Sequence, residues 1–149
     1  MTVTRGRFSV LNIKDATVVV DYGHNVDALG AVIQTIEHFP QKYRSAVYAV
    51  AGDRRDSDIL AQGELLANAF DKVYLYEDES FLRGRPAGNS FKLLREGLAN
   101  HGKPRTKEIL EVQGSVNACK LAVSKLQPGE LLLMQIDAID ETIDWLKSL

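Results

Sequence analysis

Short apolar runs alternate with amphipathic stretches along the whole chain. The run Phe8–Ile13 predicts a first strand and residues 17–21 a second, with Lys14 and Asp15 as a tight turn joining them into a hairpin. Val26, Leu29, Val32, Ile33 and Ile36 recur at helical spacing within a predicted helix 25–39, which Pro40 stops. The β-rich run 46–51 ends at Gly52, and a helix 58–70 follows with Ile59, Leu66 and Phe70 on one side. A strand 72–76 leads into a polar loop, 77–88, after which Asn89 is placed to cap a helix carrying Phe91, Leu94 and Leu98. The remaining pattern predicts a strand 107–112, a helix 115–126 with Val116, Cys119, Val123 and Leu126 inward, and a turn at Pro128-Gly129. A continuous apolar strand 131–136 and a closing helix 140–149, with Ile143 and Leu146 inward, complete it.

Strands that alternate with helices of about 10–15 residues imply βαβ units. The expected fold is therefore α/β: a Rossmann-like three-layer sandwich, its mostly parallel central sheet flanked by helices, with an N-terminal β-hairpin. A run such as Leu131-Leu132-Leu133-Met134 suits a central strand covered on both faces. Ligands of such sheets bind beyond the C-terminal ends of the strands. That rule points to 21–25, 52–56, 77–88 and 135–140.

The 149 residues amount to one domain. A 45% hydrophobic and 26% charged composition suits a globular core made without disulfides. Net charge is −2, so no global field recruits nucleic acid or an anionic membrane. Cys119 is the single cysteine, which excludes an internal disulfide and a multi-cysteine zinc site and fits a cytoplasmic location. No apolar run approaches the roughly 20 residues that span a bilayer. Residues 1–7 lack the apolar stretch of a signal peptide. Gly30, Gly63 and Gly97, inside helical patterns, are expected to mark close packing.

Three clusters can carry chemistry. Asp21-Tyr22-Gly23-His24-Asn25 follows a Val-rich strand and opens a helix. A carboxylate there can accept two bonds from a ribose diol, and an imidazole can donate to a phosphate or lie beside a base; equally, Asp21 or Asn25 can serve as a helix cap and His24 as a surface residue. In Gly52-Asp53-Arg54-Arg55-Asp56 a glycine ends a strand and four charges precede a helix N-terminus, a place that favours anions. An arginine there adds a bidentate grip on carboxylate or phosphate, although a solvated loop with local ion pairs has the same composition. Arg83 and Arg85, held among Gly84, Pro86 and Gly88 and preceded by Glu77-Asp78-Glu79, bring both signs of charge together, as a zwitterionic amino acid requires. A flexible charged loop is the alternative. No phosphate-cradling G-x-x-x-x-G-K-[ST] is present. His38 and His101 read as surface residues near helix ends, and Cys119 as core.

In order, Gly6-Arg7-Phe8, Val20-Asp21-Tyr22-Gly23-His24-Asn25 and Ala51-Gly52-Asp53-Arg54 resemble the third domain of the Mur ligase superfamily. In that family a G-R element precedes a hairpin, one strand ends in D-Y-[AG]-H-N-P and a later one in G-D-R. Ala51-Gly52-Asp53-Arg54-Arg55-Asp56 and Leu82-Arg83-Gly84-Arg85 resemble the versions in its cyanophycin synthetase branch. Val26 stands where the motif's proline usually does, and 133–137 lacks the G-K-G-H-E element of some muropeptide ligases.

The resemblance implies an ATP-dependent acid–amino-acid ligase that joins its substrates through an acyl phosphate. It implies a P-loop central domain, outside these residues, that holds ATP and most of the Mg2+ ligands, and a chain 1–149 that is a single C-terminal-type domain closing over it. Arg7, Asp21, His24 and Asn25 are then nucleotide-binding. Asp53, Arg54, Arg83 and Arg85 are acceptor-binding, and no catalytic residue or metal ligand is expected in this domain, which alone should be inactive. Arginine is the acceptor suggested, with Glu77, Asp78 and Glu79 as hosts for its guanidinium. Three other readings compete: another Mur-type ligase, muropeptide or folylpolyglutamate-like; a metal-dependent hydrolase using Asp21, His24, Asp53 and Asp56; and a nucleotide-binding or docking module without enzymatic activity.

Overall fold

The structure, a computed structural model, describes residues 8–100 and 102–149. Arg7, the G-R element it belongs to, and His101 lie outside the described residues.

Strand β1 (Phe8–Ile13) returns antiparallel into β2 (Ala16–Asp21) with a flush register, Ile13 opposite Ala16 and Phe8 opposite Asp21. The turn between them holds Lys14 at φ 51° and Asp15 at φ 63°. Both central residues are left-handed, the geometry that matches a two-residue hairpin to the twist of its strands.

Helix α1 (Val26–Ile36) leads to β3 (Arg44–Tyr48), α2 (Asp56–Ala69) to β4 (Lys72–Glu77), and a single turn α3 (Glu79–Leu82) precedes α4 (Asn89–Ala99). Strand β5 (Glu108–Gln113), α5 (Ser115–Ser124), β6 (Leu131–Gln135) and α6 (Ile139–Lys147) complete the chain. The six-stranded sheet has the order β1-β2-β6-β3-β4-β5, and every pairing except β1–β2 is parallel.

The last strand in sequence is therefore central. All five residues of β6 are buried, Leu131 and Leu133 toward one core and Leu132 and Met134 toward the other. Their neighbours in the first core come from α1, α2 and α4, and in the second from α5 and α6. The expected three-layer sandwich with a mostly parallel sheet and N-terminal hairpin is what forms.

Several boundaries differ from the sequence pattern, each for a physical reason. Helix α1 stops at Ile36 rather than running to residue 39. The residue before a proline is disfavoured in helical conformation, and Phe39 instead packs its ring 6.3 Å from that of Phe8. The apolar run 46–51 is only partly strand: β3 begins at Arg44 and ends at Tyr48, and Ala49, Val50 and Ala51 are buried outside the ladder. The loop 77–88 contains the turn α3. Asn89 is the first residue of α4, not its cap; the capping position is Gly88 at φ 85°. Val116, expected inward, is 63% exposed.

Of the three helical glycines, Gly63 and Gly97 do mark close packing. A Cβ on Gly63 would stand 2.4 Å from Leu94 O, and one on Gly97 2.2 Å from Leu60 O, so α2 and α4 touch backbone to backbone. Gly30 faces open space. Gly63→Ala is expected to lower stability by about 1–3 kcal/mol through forced separation of the two helices. Gly30→Ala should be neutral or stabilise by up to about 1 kcal/mol from helix propensity. Urea unfolding of the two variants checks the contrast.

Candidate functional site

The four segments singled out by the strand-end rule follow β2, β3, β4 and β6, which are consecutive neighbours in the sheet as β2-β6-β3-β4. They meet at one edge because every one of these strands points the same way.

Asp21 closes β2, directly opposite Gln135 at the end of β6. Gln135 Nε2 donates to Asp21 Oδ2 at 3.2 Å, and the Ile136 amide donates to Asp21 O at 3.1 Å. Asn25 is the N-cap of α1, its side-chain oxygen accepting from the Ala28 amide at 2.8 Å. A groove of about 550 Å³ runs between β1 and α1, bordered by Phe8, Asp21, Tyr22, Asn25 and Thr35. Tyr22 stands 57% exposed at its rim. A carboxylate and an open aromatic ring beside a groove of that size fit a nucleoside, through the ribose diol and the base face.

A second, polar pocket of about 290 Å³ is bordered by Asn25, Asp27, Arg54, Asp58 and Gln62. It lies at the N-termini of α1 and α2, and Asn25 belongs to both cavities, so they adjoin. Arg54 and two helix N-termini favour an anionic group there, while Asp27 and Asp58 provide for a cationic one.

His24 is buried rather than open to a ligand, with 7% exposure. Its Nδ1 lies 2.8 Å from Ala49 O and its Nε2 3.2 Å from Asp137 Oδ1, which ties the end of β2 to those of β3 and β6. The Phe81 ring meets it edge-on at 5.2 Å. Because a carbonyl only accepts, Nδ1 carries the proton; in the neutral ring the Nε2 lone pair then faces Asp137, and protonation turns that contact into a donated bond. Burial, the largest influence, lowers the imidazole pKa, and the positive charge of Arg54 adds to this; the Ala49 carbonyl and Asp137 oppose it without reversing the direction.

The arginines of the 83–85 segment divide the work. Arg85 is a tie: Nε donates to Gly52 O at 2.8 Å, Nη2 to Arg54 O at 2.8 Å and to Asp56 Oδ1 at 3.0 Å, and Nη1 to Asn89 Oδ1. It pins the segment after β4 onto the segment after β3. The glycine that ends the 46–52 run serves the same contact, since a Cβ on Gly52 would stand 1.8 Å from Leu82 O. Arg83 instead lies half exposed, 3.2 Å from Asp53 and 5.3 Å over the Phe81 ring. Among the three acids, Glu77 accepts from the Gly88 amide at 3.0 Å and from Ser90 Oγ at 2.7 Å, serving the start of α4 while 6% exposed. Asp78 accepts from the Ser115 amide at 2.9 Å, at the start of α5. Glu77 and Asp78 are thus committed to helix termini, and neither offers its carboxylate to an acceptor's guanidinium as the sequence suggested.

Asp21, His24, Asp53 and Asp56 do not converge as metal ligands. Asp53 and Asp56 pair with Arg83 and Arg85, and among the described residues no group of three or more His, Cys, Asp or Glu side chains is placed to hold a metal ion. Cys119 is buried, and burial pushes its thiol up to about 12, which suits core rather than nucleophile. The strand-end rule pointed to 135–140 but gave Gln135 and Asp137 no role; their signal was a polar residue closing an otherwise apolar central strand, and an acid two positions later.

The geometry defines an α/β domain that gathers a carboxylate-bearing groove and an arginine-bearing polar pocket at one sheet edge. The chain belongs to the Mur ligase family: residues 6–135 match the family described as "Mur ligase, glutamate ligase domain". It is 34% identical over 116 residues to the cyanophycin synthetase of Nostoc sp., covering 76% of this chain and 13% of that protein. It is 43% identical over 131 residues to the UDP-N-acetylmuramoyl-L-alanyl-D-glutamate–2,6-diaminopimelate ligase of Listeria innocua, covering 87% of this chain and 25% of that one. A solved UDP-N-acetylmuramoyl-L-alanyl-D-glutamate–2,6-diaminopimelate ligase superposes with a TM-score of 0.73 at 23% identity, over 91% of this chain and 26% of that chain, and shows the shared fold. The chain thus spans between an eighth and a quarter of these relatives' lengths, 13% and 25%. No helix among the described residues is long and apolar enough to cross a membrane.

Two outcomes are expected. The lowered His24 pKa means that the unfolded chain binds more protons, so its contribution to stability is full above the ordinary imidazole value of 6.5 and declines as pH falls from there toward the folded pKa. Thermal melts between pH 7.5 and 5 should show that decline, and His24→Gln should flatten it. Arg85→Ala should lose about 2–4 kcal/mol by stranding two backbone carbonyls, whereas Arg83→Ala should change stability by less than about 1 kcal/mol; denaturant titration separates them.

Proposed function

We propose that this chain is the nucleotide-covering and acceptor-presenting domain of an ATP-dependent acid–amino-acid ligase similar to cyanophycin synthetase. The observation that carries the reading is Asn25, which borders both the Asp21 groove and the Arg54 pocket, so that a nucleotide and an amino acid can lie side by side at one edge.

In this reaction the substrate carboxylate takes the γ-phosphoryl group of ATP, releasing ADP, and the acceptor's amine attacks the acyl phosphate, releasing phosphate and forming the amide. The P-loop and the main Mg2+ ligands belong to a central domain of the same polypeptide. This chain's residues bind and orient. Asp21 takes the ribose diol, with Asn25 beside it and, outside the described residues, Arg7. His24 holds the loop's shape rather than touching the nucleotide.

Arg54 takes the acceptor's carboxylate. The Asp53–Arg83 pair is half exposed on both sides and so of low net worth; the acceptor can open it, sharing its carboxylate between Arg54 and Arg83 and setting a positive side-chain group on Asp53, which leaves its α-amine for attack. Arg85 positions that pair without binding the acceptor. Closure of the domain over the central one excludes water from the acyl phosphate.

A second reading, a Mur-type ligase with a diaminopimelate-like acceptor, is favoured by the 43% identity to the Listeria innocua ligase. Competition between arginine and diaminopimelate in the complete ligase separates the two. In that ligase Arg54→Ala should raise the acceptor KM about tenfold or more, with the ATP KM unchanged, and the 149-residue chain alone should form no amide. Sustained amide formation by the isolated chain overturns the proposal.

A further inference from the structure

Phe81 is a large apolar side chain that joins neither core. It lies partly buried in the single turn α3, and its position is set from two sides. The main chain is held where the loops after β3 and β4 meet: the Phe81 amide donates to Asp78 O at 2.8 Å, and its carbonyl accepts from the Gly52 amide at 2.8 Å. The ring meets His24 edge-on at 5.2 Å. His24 is itself fixed through both ring nitrogens, against Ala49 O and Asp137 Oδ1. A buried, doubly bonded imidazole thus backs a ring that no core packs.

On the outer side of this ring lies Arg83, its guanidinium carbon 5.3 Å from the centroid. The backbone that carries it is strained. Arg83 adopts φ 48° and ψ 47°, a left-handed conformation that glycine takes freely and an arginine takes at a cost. Closing the turn does not call for an arginine there, since a glycine would close it with less strain. The arginine gains two contacts instead, the face of Phe81 and the carboxylate of Asp53 at 3.2 Å.

These contacts hold the guanidinium in different ways. Asp53 engages its N–H groups and offsets its charge. An aromatic face attracts the cation without taking an N–H group and without adding a negative charge. A leucine at 81 would fill similar space and offer no such face.

We infer that Phe81 is a positioning residue for the acceptor: backed by His24, its ring keeps the Arg83 guanidinium in place while Asp53 releases it, so that Arg83 meets the incoming carboxylate already oriented. The inference rests on the proposed role of Arg83 in acceptor binding and assigns the residue that makes the exchange of partners possible. When Asp53 turns to the acceptor's positive side-chain group, the ring contact remains, and the planar fork of N–H donors is left for the carboxylate. Arg83 is the binding group, and Phe81 acts only through it.

The test uses the complete ligase polypeptide that carries this domain, with ATP saturating and the acceptor, arginine or diaminopimelate, that the parent enzyme prefers. Phe81→Leu should raise the acceptor KM about twofold to fivefold, the worth of one half-exposed cation–π contact. The KM for ATP should stay level, kcat should change less than twofold, and the melting temperature should hold. Phe81→Tyr, which keeps the aromatic face, should bring the acceptor KM back to within about twofold of the parent. Arg83→Ala should raise that KM further, and adding Phe81→Leu to it should cost nothing more. Arg83→Gly, which relieves the left-handed strain, should match Arg83→Ala in acceptor KM while the melting temperature stays level or rises.

If Arg83→Ala raises the acceptor KM and Phe81→Leu does not, the positioning role is wrong and the reading of Arg83 stands. If Arg83→Ala leaves the acceptor KM unchanged, the acceptor reading of Arg83 fails and takes this inference with it. A Phe81→Leu variant that loses kcat and melting temperature together, by the same factor whether or not Arg83 is present, shows a structural role only and also overturns the inference.

Discussion

The architecture depends on β6 lying between β2 and β3. Those two strands follow one another in sequence with only α1 between, yet they do not pair; each bonds to β6 instead. The constraint is hydrophobic as well as hydrogen-bonded. Leu131 to Met134 supply side chains to both cores, and a strand that apolar is stable only when covered on both faces. Removing it would leave the β1–β2 hairpin and the β3-β4-β5 half-sheet with facing unpaired edges. The site depends on the same insertion, because Gln135 and the following Asp137 reach the β2 loop only from this central place.

The arrangement also explains why one edge combines rigid and exchangeable parts. Arg85, Glu77 and Asp78 are spent on backbone groups, fixing the loops after β3 and β4 to each other and to the starts of α4 and α5. Arg54, Tyr22 and the Asp53–Arg83 pair lie further out. Exposed pairs in water hold one another weakly. A scaffold of buried ties carrying a surface of weak ones allows charged partners to be exchanged without moving the main chain.

The sheet was legible in the sequence because its signal is periodicity. Six strands and the main helices appear near their predicted places, with the parallel, doubly covered character of β6 readable from four consecutive apolar residues. Boundaries failed where burial and hydrogen bonding part company: Ala49 to Ala51 are as apolar as a strand, but Ala49 O turns to His24 instead of a neighbouring strand. The motifs located the site's edge without disclosing roles. Nothing in the letters distinguishes Arg83 from Arg85, or marks Glu77 as a helix-terminus partner, because these roles are set by which loop lies against which. The roles of Gln135 and Asp137, inside a segment the strand-end rule did point to, escaped notice for the same reason: their partners, Asp21 and His24, lie more than a hundred positions away.

The late position of β6 in the sequence has a consequence for how the chain comes to be folded. A chain emerging from the ribosome exposes its hairpin and then three parallel strands long before the piece that unites them. Until Leu131 to Gln135 arrive, two sheet fragments carry open edges and apolar faces. Such non-local closure is slow and favours association with other chains while it is pending. Synthesis of this domain thus passes through a stage in which a nascent chain needs shielding, and that stage ends only once β6 itself has emerged.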